Sequence, residues 1–514
     1  MRNEDLVLGS DIETFYSSLK LNIYMPKSTA LEKIVNYVDP IRKKGAKAEF
    51  KSLGIEGEVQ PFKIGTVRYT STDRLHRENL SDLVPFRIQP SDFLARRTAV
   101  LGMTRTGKSN MIKQTISVVK GISTSCHLPI GQLIYDINGE YANANEQDKG
   151  SISEIYKDEC IRYRMINSPG FRPILNNFYE QLGEGHSIIC DVIKEATSST
   201  AADILQFLNI SFDKPEEYNE IQKWERKIAL YKVLLYKANF EISATYKVYF
   251  QANEKVREIV SSGVNPKNGL TLQEALSWFE ALRAHKDEFE IAKWITDECK
   301  CLLNLLCQKN DTDAFITGYK LLTAATKYHT SSRTTDVAKE IYEYLVQGKI
   351  VIIDLSVGNA VLRDKISKKI ASYIFNTSMD KFTGGGKPSN IVVYIEEAHN
   401  LIGKGMDLTD TWPRLAKEGA KYKIALVYAT QEVSSVHPNI LANTENWFVT
   451  HLNSDKEIGE LAKFYDFADF KQSLLRSQDV GFARVKTLSS PFVIPIQIDK
   501  FDPEKIKAGD SINE

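Results

Sequence analysis

Residues Arg97-Thr-Ala-Val-Leu101 run straight into Gly102-Met-Thr-Arg-Thr-Gly107-Lys108-Ser109, and an amphipathic stretch opens at Asn110. A β-branched apolar run, a glycine-bounded loop ending in Lys-Ser and then a helical pattern leave few folds open to a chain. In G-x-x-x-x-G-K-[ST] the glycines let the loop wrap closely and aim backbone N–H groups at phosphate oxygens. Lys108 brings a point charge to the β- and γ-phosphates, and the Ser109 hydroxyl is placed to ligate Mg²⁺. The following helix sets its positive N-terminal end under the anion. An α/β fold is predicted, with ATP held by Gly102, Thr104, Arg105, Thr106, Gly107, Lys108, Ser109 and Asn110. A glycine-rich turn without a ligand is the plainer alternative.

The second informative stretch is Asn390-Ile-Val-Val-Tyr-Ile-Glu396-Glu397-Ala-His399, an apolar strand that delivers two adjacent carboxylates. Nucleotide hydrolysis needs one acid to hold hydrated Mg²⁺ and another to orient or deprotonate the attacking water. Glu396 suits the metal and Glu397 the water. Alone, a Glu-Glu pair is more often a helix start; beside a phosphate loop it reads as catalytic. The loop and the acids are expected to meet across adjoining strands.

Three further runs belong to the same pattern. Ile130–Asp136 reads as a buried strand whose Asp136, with Glu140, falls near the nucleotide edge. An acid at a strand end is, however, more often a turn or helix cap. Lys349–Ser356, containing Asp354, has the unbroken apolar character of a strand covered on both faces. Ile424–Thr430 ends at Gln431, placed either to bond a γ-phosphate or its attacking water, or to cap the next turn.

At 514 residues the chain suggests roughly two to four domains, or one with large insertions. Residues 1–92 alternate in short segments between Gly, Pro and Ser turns, which predicts a small β-rich domain of barrel type with a helix near Ala30–Val38. The α/β core is assigned to 93–145 and 348–452. Between them, 146–347 turns helical: Ile221, Trp224, Ile228, Tyr231 and Leu235 share one helix face, and Thr271-Leu-Gln-Glu274 has capping-box spacing. Residues 453–514 mix helix with strands at Gly481–Val485 and Pro491–Ile498.

Equal numbers of basic and acidic residues, 66 each, give no global attraction to nucleic acid, so any DNA contact must use a local stripe or a pore. Six cysteines without a C-x₂-C pair read as thiols of a reducing cytoplasm, with Cys299, Cys301 and Cys307 on a helical run. Glu4, Asp5, Asp11 and Glu13 do not fit a signal peptide, and no apolar run approaches the ~18 residues of a membrane span. A cytoplasmic protein without a membrane role is expected.

The set Gly102–Ser109, Tyr135-Asp-Ile-Asn-Gly-Glu-Tyr141, Ile353-Asp-Leu-Ser356, Ile395-Glu-Glu-Ala-His399, Glu418-Gly-Ala-Lys421 and Ala429-Thr-Gln431 resembles the HerA family of the HerA/FtsK DNA-pumping ATPases. That resemblance implies a RecA-like motor core, an N-terminal β-barrel, an inserted helical bundle and a C-terminal brace. It also implies a homo-hexameric ring that holds ATP at subunit junctions and threads double-stranded DNA. Such ATPases work with a nuclease, and similar bacterial chains are paired with an effector such as an NAD-consuming enzyme in phage defence. One departure stands out: family members often carry Glu-Gly-Arg-Lys where this chain has Ala420. The missing trans-acting cation could be Arg414, Lys417 or Lys421, with Arg414 first because a guanidinium engages two oxygens at once; surface charges on a helix are the equal alternative. Two other functions compete with a motor: a nucleotide-regulated scaffold for a partner enzyme, and a P-loop signalling ATPase without DNA.

Overall fold

Strands that are apolar at every position need cover on both faces, and the sheet they build is the frame of this protein. The computed structural model describes residues 26, 28–52, 59–68, 83–144, 150–196, 201–260, 264–332, 336–357 and 360–502. A twelve-stranded sheet runs in the order Pro85–Ile88, Phe62–Val67, Ile494–Ile498, Phe482–Lys486, Asn446–Val449, Arg97–Leu101, Ile424–Thr430, Asn390–Ile395, Ile130–Asp136, Ile350–Asp354, Cys160–Arg164, Arg172–Pro173. From Asn446–Val449 onward every neighbouring pair is parallel. The pairs at the opposite end are antiparallel.

Alternate residues of the central strands serve two separate cores. Ile391, Val393 and Ile395 pack with Leu133, Val351 and the helices Val337–Val346 and Thr411–Glu418. Val392 and Tyr394 face the other way, toward Met111, Ile112 and Ile116 of the helix Lys108–Ser125. The sheet is thus the middle layer of a helix–sheet–helix sandwich, as the unbroken apolar runs require.

Lateral order departs from expectation at one place. The glycine loop and the twin acids do not sit on adjoining strands, because Ile424–Thr430 stands between Arg97–Leu101 and Asn390–Ile395. Crossover connections fix handedness but not which strand becomes the neighbour, so chain order could not supply this. All three strands run parallel, and their carboxyl ends open on one edge, where ligands of open α/β sheets collect.

Two other regions differ from the sequence pattern. Strand structure does not stop near residue 146: Cys160–Arg164 pairs with Ile350–Asp354. Its Arg162 and Arg164 sit partly exposed near the edge, which hides the apolar signature. Among the described residues, Phe62–Val67 and Pro85–Ile88 extend the main sheet through Ile494–Ile498, and a closed barrel is not seen. Residues 1–25, with the acidic positions Glu4, Asp5, Asp11 and Glu13, lie outside the described residues, as do 53–58 and 69–82.

The helical insertion has a core of its own, built from Ile189, Leu230, Leu234, Phe279 and Leu302 among others. Cys299 and Cys301 are buried in it. Thr271 forms the expected capping box with Glu274, each closing the other's orphan N–H. No helix among the described residues is long and apolar enough to cross a membrane.

Candidate nucleotide site

The loop after Arg97–Leu101 is shaped by backbone conformations that few side chains tolerate. Gly102 sits at φ 154°, and a Cβ there would lie 1.7 Å from Thr450 Oγ1. Gly107, at φ 103°, caps the helix Lys108–Ser125. Between them Thr106 is buried, its hydroxyl donating to the Met103 carbonyl at 2.7 Å. Thr104 and Arg105 are exposed at the loop crest, Arg105 at φ 64°. The result is a ring of backbone around the helix N-terminus, with Lys108 Nζ donating to the Met103 carbonyl at 2.9 Å.

The acids meet it from the other side. Tyr141 donates its hydroxyl to Glu396 Oε1 at 2.6 Å, and Asn138 Nδ2 donates to Oε2 at 3.3 Å. Glu397 adopts φ 45° and ψ 48°, a left-handed conformation unfavourable for any residue with a Cβ and of the kind kept at functional turns. Its Oε2 is buried without a hydrogen-bond partner and lies 3.6 Å from His399 Nδ1. That same nitrogen is 3.0 Å from Thr430 Oγ1, on the intervening strand. Lys108, Ser109, Glu140, Glu396 and Glu397 line one cleft of about 830 Å³. Thr104, Arg105, Gly107 and Asn110 line it as well.

Electrostatics in the cleft are those of an acid cluster, Glu140, Glu396 and Glu397, around the ammonium of Lys108. Burial lifts the Glu396 carboxyl to about 7, partly offset by the Tyr141 hydrogen bond and reinforced by Asp136, Glu140 and Glu397. Burial lowers the Lys108 ammonium, while Glu397, Glu396 and Glu140 pull it back up. A hydroxyl from Ser109 and a carboxylate from Glu396 are hard oxygen donors, and a cation would relieve the crowding of negative charge. They fit Mg²⁺, which takes one or two protein oxygens and keeps its waters. A protonated carboxyl cannot ligate, so Mg²⁺-dependent nucleotide affinity should weaken as pH falls through about 7, approaching tenfold per unit below it. Binding titrations at several pH values, with and without Mg²⁺, read this; a slope that persists without the metal contradicts it.

The remaining sequence candidates fall into two groups. Asp136 does what strand-end acids usually do: its two oxygens accept the N–H groups of Gly139, Glu140, Tyr141 and Ala142 at 2.7–3.0 Å. Asp354, fully buried beside it, accepts Arg164 Nε at 2.9 Å and the Ser356 N–H at 2.9 Å. Both acids shape the sheet edge and do not line the cleft. Gln431 is half-buried just past the strand and is not among the lining residues, although Ala429 is. Arg414 stacks on Phe375 at 4.8 Å and lies 3.7 Å from Glu418, away from this cleft. Lys417 and Lys421 are exposed, Lys421 over the Phe382 and Tyr422 rings.

Sequence reasoning missed the other wall. Gly481, Gln497, Ile498, Asp499 and Lys500 also line the cleft. The Gly481 N–H donates to the Thr106 carbonyl at 2.9 Å. Asn110 and Gln114 both donate to the Asp499 carbonyl at 3.0 Å. The only signal was Gly481 itself, at φ 79° in a turn.

The family model described as "Helicase HerA, central domain" matches residues 62–377, more than half of the chain. The chain belongs to the HerA helicase central-domain family. As a member of the HerA family it is a P-loop ATPase, in keeping with the loop and cleft above. The DNA double-strand break repair helicase HerA of Saccharolobus solfataricus is 25% identical over 172 residues, 32% of this chain. The match spans about a third, 34%, of that curated relative's length. Among solved structures, VirB4 of Thermoanaerobacter pseudethanolicus is 12% identical with TM-score 0.36, covering 88% of this chain and 99% of that one. The bacterial conjugative coupling protein TrwBdeltaN70 is 12% identical with TM-score 0.36, covering 87% and 96%.

Proposed function

We propose that this HerA-family ATPase is a double-stranded DNA translocase that works as a homo-hexameric ring with a nuclease or other effector partner. The observation that carries the reading is the convergence of Lys108, Ser109, Glu396 and Glu397 on one cleft at the carboxyl edge of a parallel sheet. Family membership supports DNA as the substrate, since the relative's name is that of a DNA repair helicase.

In this reading Lys108 leaves the Met103 carbonyl for the β/γ-phosphates, and the backbone N–H groups of 102–109 hold the rest of the phosphate chain. Ser109 and Glu396 would hold Mg²⁺, which would supply neutralisation of the phosphate charge. Glu397, its Oε2 without a hydrogen-bond partner, accepts the proton of the water attacking the γ-phosphate. Gln431 senses the γ-phosphate from two residues beyond Ala429, which lines the cleft. No cation from the 414–421 segment lines the cleft of its own subunit. Arg414, or failing it Lys417 or Lys421, would therefore serve the cleft of the next subunit, replacing the arginine that is Ala420 here. The N-terminal barrel, the brace role of 453–514 and a cytoplasmic, phage-defence or repair setting belong to the same proposal.

Triplex displacement tests it. The assembled protein with Mg²⁺ and ATP should strip a third strand from duplex DNA, with DNA binding that weakens steeply with salt. Partner binding and ATP turnover without displacement would instead identify a nucleotide-regulated scaffold. Absence of any salt-sensitive DNA binding would point to a signalling ATPase.

A further inference from the structure

The wall opposite the acids is made by a three-residue turn and a short tail, and both are fastened to the phosphate loop. Gly481 donates to Thr106, and a Cβ placed on Gly107 would stand 3.2 Å from Gly481 N. The turn is held from behind by Arg68, only 2% exposed, which pairs with Asp479 Oδ2 at 2.6 Å and Gln497 Oε1 at 2.5 Å. The guanidinium also lies 5.0 Å from the Phe482 ring centroid. Gln497 Nε2 in turn donates to the Val480 carbonyl at 3.0 Å. Asp499 is pinned through its carbonyl by Asn110 and Gln114, and Asn110 Oδ1 accepts the Phe501 N–H at 2.7 Å.

Within this rigid frame one side chain is out of character. Val480 is 65% exposed although it lines the cleft, where Ala429 and Ile498 are the other apolar residues among polar side chains and glycines. The tail is pinned to Asn110, one residue past Ser109, so the wall made by the turn and the tail stands directly beside the phosphate loop within the same cleft. A purine base is flat and poorly hydrated on its faces, so an isopropyl group on a backbone held by Gln497 beside the phosphate loop is a surface for it.

We propose that the 479–481 turn, which Gly481 ties to the phosphate loop and buried Arg68 holds from behind, is the nucleoside wall of the cleft: Val480 packs against the base of the bound triphosphate. The inference rests on the nucleotide reading of the cleft and assigns its second half.

The test is Val480→Ser in the full chain, with equilibrium binding of Mg²⁺·ATPγS and of Mg²⁺·tripolyphosphate, which has phosphates but no base. The position is exposed, so the variant should unfold at the midpoint of the unsubstituted chain, which unfolding curves check. ATPγS should bind about fivefold more weakly than to the unsubstituted chain, while tripolyphosphate affinity is unchanged. Unchanged ATPγS affinity overturns the proposal, and equal weakening of both ligands does so too, because the turn would then only support the phosphate loop. An unsubstituted chain that binds tripolyphosphate and ATPγS equally well also overturns it. If the unsubstituted chain binds neither, the nucleotide reading itself falls, a result visible before any substitution is made.

Discussion

Glu397→Gln should retain ATP binding and lose hydrolysis by about a thousandfold or more, a loss in the range expected when a general base is removed. The substitution keeps the size of the side chain and its strand-end position, but an amide cannot take the proton of the attacking water. The geometry sets Glu397 apart from its neighbour: Glu396 is engaged by Tyr141 and Asn138, whereas Glu397 Oε2 is buried with no hydrogen-bond partner. A phosphate-release assay alongside a nucleotide-binding titration separates the two properties. Hydrolysis at the unsubstituted rate would remove Glu397 from the chemistry.

Lys108→Ala should act on the other property, weakening ATP binding by about a hundredfold or more through loss of a charge-assisted contact. The effect is larger than for an isolated lysine, because Glu140, Glu396 and Glu397 surround the ammonium and would then face a triphosphate without it. The side chain is half-buried and bonds only a loop carbonyl, so the unliganded fold should unfold at an unchanged midpoint. Nucleotide-induced thermal stabilisation, present in the unsubstituted chain, should disappear in Lys108→Ala. A variant that still gains stability from Mg²⁺·ATP would contradict the assignment.

What could be read in the residues was whatever depends on local pattern. The apolar runs at 130–136, 350–354, 390–395 and 424–430 became central strands because both sheet faces are covered and no polar alternation interrupts them. The phosphate loop was legible because its glycines answer to backbone conformation, and the Thr271 box because capping is decided within one turn.

What stayed hidden depends on partners distant in the chain. Nothing near Asp354 in the chain foretells that it accepts Arg164, which comes from a strand disguised by its polar edge residues. Gln431 follows a strand and Arg414 lies on a helix, and where a side chain points from either is a tertiary matter that local pattern does not record. The insertion of Ile424–Thr430 between loop and acids, and the delivery of 479–500 to the phosphate loop, are choices of lateral strand order that periodicity does not record.

The most direct measurement is a crystal structure of the protein with Mg²⁺ and a non-hydrolysable ATP analogue. The phosphates should lie on the 102–109 loop beneath Lys108, with the metal between Ser109 and Glu396 and the γ-phosphate facing Glu397. A nucleotide bound elsewhere, or a γ-phosphate turned away from both glutamates, would contradict it.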